Sequence, residues 1–229
     1  MAVARYKDLC IDATGSEDLG RFWARVLGLR FEPNRRTGTL TGSLPEQRIW
    51  MNEVPEAKTV KHRVHLDVHT ASVDELVGLG ATVLEPAEEF GRAWTVLADP
   101  EGGEFCAFVR DRGTLASYRL YELAVDAVNP QLIAAWWAEV LGATVGGRED
   151  KGWWWLEDVP GLPFDGWVFG SVPEPKTVKN RIHWDVTVDS VDDLVSAGAV
   201  IVRDPDDEIF WTICADLEGN EFCAFTVDE

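Results

Sequence analysis

The residues of this chain best suited to chemistry recur as a set. His65 lies in the stretch RVHLDV and His183 in RIHWDV. Each follows an arginine, Arg63 or Arg181, and precedes an aspartate, Asp67 or Asp185. Cys106 and Cys223 hold the same place in two EFCAF blocks. An acid, Asp8 or Glu122, stands ahead of the first helix-like segment in each half. Acid, imidazole and guanidinium on one sheet face make a polar floor that orients a small ligand. The plainer alternatives are a buried histidine bonded to Asp8 or Asp67, and cysteines packed as small hydrophobes. No Ser-His-Asp arrangement, phosphate loop or dinucleotide fingerprint is present; Gly146-Gly147-Arg148 lacks the required glycine spacing.

The elements that must position these residues are themselves repeated. VPEAKTVKHRVHLDV begins at Val54 and VPEPKTVKNRIHWDV at Val172; DPEGGEFCAF at Asp99 matches DLEGNEFCAF at Asp216; FWARVLG at Phe22 matches WWAEVLG at Trp136. Three blocks in the same order at nearly constant offset mark a duplication. The seam falls near Arg112-Gly113-Thr114, giving units at 1–112 and 117–229. Within each unit a strand is followed by an amphipathic helix, Leu19, Phe22, Trp23, Val26 and Leu27 in one copy and Ile133, Trp136, Trp137, Val140 and Leu141 in the other. Gly28 and Gly142 stop these helices. Thr14 with Glu17 suggests a capping box, and Asn129-Pro130 a cap with proline at the first helical position. Strand-like pieces follow, and the pattern restarts at Val64, where Ser72 and Glu75 cap a further helix ending at Gly80. The chain thus reads as four βαβββ modules of an α+β protein, whose helices cover one sheet face and leave the other open as a cup.

Composition bounds the partners. With 229 residues, 46% hydrophobic, the chain is globular, and no apolar run reaches membrane-spanning length. A net charge of -19 argues against nucleic acid and anionic membranes. Four cysteines without a CxxC, and no apolar leader at MAVARYKDLC, suit a cytoplasmic protein with reduced thiols. Cys10 and Cys214, unmatched between copies, read as core. The basic stretches Lys58, Lys61 and Lys176, Lys179 read as surface ion pairs, or as anion holders at a cup mouth. Eight of the 11 tryptophans lie in the second half. Trp94 and Trp211 correspond between copies as core or cup wall, and alternation through Trp153, Trp154 and Trp155 turns at least one ring to the open side; Trp154 is taken as that residue.

The strand-helix blocks FWARVLGL and WWAEVLGA, the RVHLDV and RIHWDV strands and the two EFCAF blocks together resemble the vicinal oxygen chelate superfamily of glyoxalase I, bleomycin-resistance proteins and extradiol dioxygenases. The likeness spans nearly the whole chain and is nearest to glyoxalase-like proteins with two tandem domains. It implies curved mixed sheets with helices outside. It also implies metal-ligand positions at Asp8 and Glu122, His65 and His183, and Cys106 and Cys223, where the last pair replaces the family's usual carboxylate. Around Trp50–Asn52 and Val168–Gly170, where glyoxalase I has a further ligand, no carboxylate stands at a matching position. Zinc is the ion best matched to such mixed donors. One histidine per copy at these positions does not make the two-histidine iron site of a dioxygenase.

Two readings follow. The first is a small-molecule binder, holding a polar or aromatic metabolite, such as an antibiotic, against Asp8, Arg63, His65, Asp67, Trp94, Glu122, Trp154, Arg181, His183, Asp185 and Trp211. The second is a metal-dependent lyase or isomerase of the glyoxalase I type. Either suits a monomer acting as a pseudo-dimer, or a homodimer.

Overall fold

The computed structural model describes residues 2–34 and 37–227. The first module is β1 (Ala4–Ala13), α1 (Ser16–Leu27), β2 (Arg30–Pro33), β3 (Thr37–Thr41) and β4 (Ile49–Glu53). The second is β5 (Val64–Thr70), α2 (Val73–Leu79), β6 (Thr82–Glu85), the short α3 (Ala87–Phe90), β7 (Thr95–Ala98) and β8 (Glu104–Val109). The second repeat supplies β9 (Leu120–Ala127), α4 (Pro130–Leu141), β10 (Thr144–Arg148), β11 (Trp153–Glu157) and β12 (Gly166–Ser171). It closes with β13 (Ile182–Val188), α5 (Val191–Ala197), β14 (Val200–Arg203), β15 (Thr212–Ala215) and β16 (Glu221–Thr226). The four expected modules are all present.

They form two open, eight-stranded mixed sheets, ordered β14-β15-β16-β13-β1-β4-β3-β2 and β10-β11-β12-β9-β5-β8-β7-β6. Each sheet therefore joins one module from each repeat, through the antiparallel pairs β1/β13 and β5/β9. The helices and their tryptophans fill the layer behind the sheets. Within the first repeat, Trp23 of α1 packs on Phe105 of β8, ring centroids 5.1 Å apart. Within the second, Trp137 of α4 packs on Trp184 and Phe222, at 5.2 and 5.0 Å. Each helix covers the strands of its own module, Trp137 stacking on Trp167 of β12 at 5.1 Å, and its tryptophan also reaches the next module of its own repeat. The edges of β1 and β5 are completed by strands of the other repeat. Trp167 and Trp184, the extra tryptophans of the second repeat, are fully buried in this layer.

The helix ends match the sequence in part. Gly28 and Gly142 adopt φ of 72° and 70° as left-handed C-caps. Asn129 accepts from Leu132 N at 3.2 Å, and Ser72 from Glu75 N at 3.3 Å. The Thr14/Glu17 capping box does not form. Gly15 is the N-cap, and Glu101 reaches in from the β7–β8 turn to accept from Thr14 N at 3.0 Å and Gly15 N at 2.7 Å. Glu218 does the same for Val128 N and Asn129 N, at 2.8 and 2.6 Å. A carboxylate at a helix start supplies both an acceptor and charge of the favourable sign. Among the described residues no helix is long and apolar enough to cross a membrane.

Candidate metal centres on the two sheet floors

Alternation along the central strands sorts the side chains. In β5, Val64, Leu66 and Val68 are buried toward the helices, so His65 and Asp67 point to the opposite face. In β13, Ile182, Trp184 and Val186 do the same, leaving His183 and Asp185 on the cup side. Because the sheets cross between repeats, the expected grouping of Asp8 with His65 and Cys106 does not occur. Asp8 lies opposite Asp185 on the first sheet, and Glu122 opposite Asp67 on the second.

On the second sheet, His65, Asp67 and Cys106 bring one donor atom each within 4.8 Å of one another. His65 Nε2 is 3.6 Å from Cys106 Sγ and 3.3 Å from Asp67 Oδ1. His65 Nδ1, on the other side of the ring, is buried without a hydrogen-bond partner. Glu122, on the adjoining strand, has its carboxyl pushed up to about 7 by burial first and by the charge of Asp67 second. Burial opposes protonation of His65, but the neighbouring Cys106 and Asp67 outweigh it and raise its pKa well above the ordinary value. Burial also raises the Cys106 thiol.

On the first sheet the group is Cys10, His183 and Asp185, again within 4.8 Å. Cys10, read from sequence as core, points into the cup, and its Sγ lies 3.6 Å from both Asp185 oxygens. The signal was its alternation with Leu9 and Ile11, in phase with Asp8 and Asp12. Cys223 sits opposite Asp185 on β16. Asp185 is shifted well above the carboxylate range by burial and by its hydrogen-bonded neighbour Asp8. Burial lowers His183 to about 4, so its ring is neutral.

A β-bulge in each sheet adds a residue that the sequence did not reveal. The register between β1 and β13 slips after Tyr6 and inserts Lys7; between β9 and β5 it inserts Tyr121. Lys7 Nζ is 2.9 Å from Asp8 Oδ2 and 4.2 Å from the centroid of Phe225, which Trp211 stacks at 5.4 Å. Tyr121 stacks on His69 at 4.3 Å and meets Phe108 edge-on at 5.1 Å. From Phe108 the aromatic run continues to Trp94 at 5.7 Å and Trp153 at 5.8 Å from Trp94. Trp153 and, by alternation, Trp155 therefore face the open side, and Trp154 does not. Trp154 pairs with Phe169 across β11/β12 and packs on the hydrophobic core.

Arg63 and Arg181 do not join the histidines. They lie just before β5 and β13, and each holds the other repeat. Arg63 donates to the Glu174 carbonyl and Arg181 to the Glu56 carbonyl, both at 2.6 Å. Arg181 also bonds Glu101 at 3.1 Å, and Arg63 lies 3.6 Å from Glu218. The repeated lysines are paired as well: Lys58 with Glu104 at 2.8 Å, Lys61 with Asp126 at 2.5 Å, Lys176 with Glu221 at 2.6 Å and Lys179 with Asp12. Together the two loops line a cavity of about 890 Å³, whose lining includes none of the donor residues of either group.

A glyoxalase-like domain model matches residues 8–108 and again 122–225. The chain belongs to the glyoxalase-like domain family. As a glyoxalase-like protein it shares its two-repeat fold with glyoxalase I from Zea mays, at 12% identity and a TM-score of 0.65, covering 96% of this chain and 92% of that one. A putative dioxygenase from Bacillus subtilis subsp. subtilis str. 168 is similar at 15% identity and a TM-score of 0.63, over 98% and 86% of the two chains. Comparison with curated protein sequences returns no match. At these identities the glyoxalase-like fold is shared, and the reaction must be argued from the side chains.

Proposed function

We propose that this glyoxalase-like protein acts on a small, oxygen-bearing metabolite in the cup of the second sheet, as a metal-dependent isomerase or lyase. The observation that carries this reading is the His65–Asp67–Cys106 group, three donors within 4.8 Å of one another, with Glu122 opposite Asp67 on the next strand. Nitrogen, oxygen and sulfur donors of this kind fit a divalent ion, zinc foremost. His65, Asp67 and Cys106 would hold it, and bound there it would supply Lewis-acid polarisation of a substrate oxygen. Glu122, outside the group of three, takes the proton from the carbon beside the substrate carbonyl and returns it to the neighbouring carbon or to the leaving group. His69, Tyr121, Phe108 and Trp94 offer flat faces for the rest of the molecule, and Arg110 lies 5.5 Å from the centroid of Phe108 to meet an anionic substituent.

The same aromatic run favours a second reading, a binder that sequesters a planar ligand without turnover. The two part in one experiment. Metal content is measured by elemental analysis on the wild type and on His65→Ala, and exchange of the proton beside the carbonyl in a panel of 2-oxo and 2-hydroxy compounds is followed in D2O by NMR. Metal-dependent exchange that Glu122→Gln abolishes while metal stays bound supports the enzyme. Ligand binding without exchange supports the binder and sinks the catalytic assignment.

A further inference from the structure

We propose that the cavity between the two repeats is a binding site of its own, outside both cups, for a small aliphatic carboxylate. Two segments without regular secondary structure line most of it, 54–63 between β4 and β5 and 172–181 between β12 and β13. Both members of the corresponding pairs Val60/Val178, Lys61/Lys179 and Arg63/Arg181 take part, so the cavity straddles the twofold relation of the repeats and offers one site per chain. Its wall is mainly apolar. Val60 and Val178 are 43% and 42% exposed, and Val54 and Val172 continue the surface. A hydrocarbon body laid against these paired valines removes their apolar surface from water.

The cations around this wall have donors to spare. Lys61 and Lys179 cross to the other repeat and pair with Asp126 and Asp12, yet their side chains stay 62% and 58% exposed. An ammonium carries three donors, and each of these ion pairs uses one. Arg63 gives Nη1 to the Glu174 carbonyl, while its Nε is buried without a hydrogen-bond partner. The carboxylates of the lining are differently placed. Asp12 and Asp126 are taken up by the lysines, and Glu56 and Glu174 are exposed and meet the arginines through their backbone carbonyls. Unused donors beside acceptors already engaged select an anion, in a chain whose net charge of -19 repels anions as a whole. A carboxylate bonded by the lysines, with its chain along the valines, satisfies both the polar and the apolar part of the cavity. None of His65, Asp67, Cys106 and Glu122 lines it, so this assignment does not depend on the proposed reaction.

The test is isothermal titration calorimetry of the full chain with octanoate, beside octylammonium and acetate. Octanoate should bind at one per chain, and the cation and the truncated acid at least about tenfold more weakly. Lys61→Gln/Lys179→Gln should weaken octanoate by at least about tenfold, the worth of a charge-assisted bond. Because those lysines also tie the repeats together, a second variant leaves the ion pairs in place. Val60→Glu/Val178→Glu changes two exposed side chains, puts negative charge on the apolar wall and should abolish binding, with an unchanged far-UV circular dichroism spectrum showing that the fold is kept. Trp153→Ala separates this cavity from the second cup and should leave the octanoate affinity where it was. Three outcomes would each overturn the proposal: no heat with octanoate at millimolar concentration, octylammonium binding as tightly as octanoate, or an affinity lowered by Trp153→Ala and untouched by the valine variant. All of them leave the proton-exchange test of Glu122 unaffected.

Discussion

Arg181 of the second repeat bonds Glu101 of the first at 3.1 Å, and Glu101 in turn caps the first helix of its own repeat through Thr14 N and Gly15 N. One carboxylate therefore ties the two repeats together and starts α1. Glu218 does the same work for α4, with Arg63 at the longer distance of 3.6 Å. Glu101→Ala should cost about 2 kcal/mol, since it removes a cap and strands a largely buried guanidinium. Glu218→Ala should cost less, because its ion pair is longer. Urea denaturation of both variants, read by far-UV circular dichroism, checks the ordering.

His62 makes the protein sensitive to acid. Burial holds its ring neutral down to about pH 4, with Lys58 and Arg181 acting in the same direction and Glu104 opposing; both ring nitrogens are buried and unpartnered. The unfolded ring protonates near pH 6.5. As pH falls from 6.5 to about 4 the unfolded chain takes up a proton that the folded chain refuses, so stability is lost across that window, by up to about 3 kcal/mol. Asp99, raised to about 6 mainly by burial, works in the opposite sense, so the diagnostic quantity is a difference between proteins. His62→Asn, matching Asn180 of the other repeat, should flatten the dependence relative to wild type. Denaturation midpoints from pH 7 to 4.5 that fall in parallel for both proteins would remove His62 as the cause.

Gly28 and Gly142 should differ in tolerance although both are left-handed helix caps. A Cβ on Gly28 would overlap the Ser117 carbonyl oxygen, which is backbone, whereas one on Gly142 would come nearest the Ala2 side chain, at 3.0 Å, with the Ala2 backbone at ordinary contact distance. Gly28→Ala should therefore destabilise by at least ~2 kcal/mol and Gly142→Ala by about 1 kcal/mol. Thermal melts of the pair test whether the seam between repeats is held as tightly as Ser117 implies.

Trp153 reports on the second cup. Its ring meets Trp94 edge-on at 5.8 Å on the open face. With catechol as a planar probe carrying two adjacent oxygens, tryptophan emission should quench on binding. Trp153→Ala should weaken the affinity about fivefold, the worth of one aromatic contact. Trp154→Phe, on the core face, should leave the affinity unchanged and lower the melting temperature instead.

Much of this protein was legible in the sequence because it was written twice. Duplication of the helix block, the RxHxDV strand and the EFCAF strand marked out the four modules, the helix caps at Gly28, Gly142, Ser72 and Asn129, and His65 and His183 as floor candidates, while Cys106 and Cys223 entered only through the family resemblance. These features rest on local periodicity and turn chemistry, which act over a few residues. The tertiary structure alone decided who stands beside whom. Sheet pairing across repeats joins β1 to β13, which moved Asp8 away from His65 and set it opposite Asp185. Two bulges turned Lys7 and Tyr121 into the cups, and a single inserted residue leaves no periodic trace. Arg63 and Arg181, which share a sequence phase with the histidines, precede their strands and reach across to the other repeat because the nearest acceptors lie there. Local pattern names the donors; only long-range packing brings them within reach of one another.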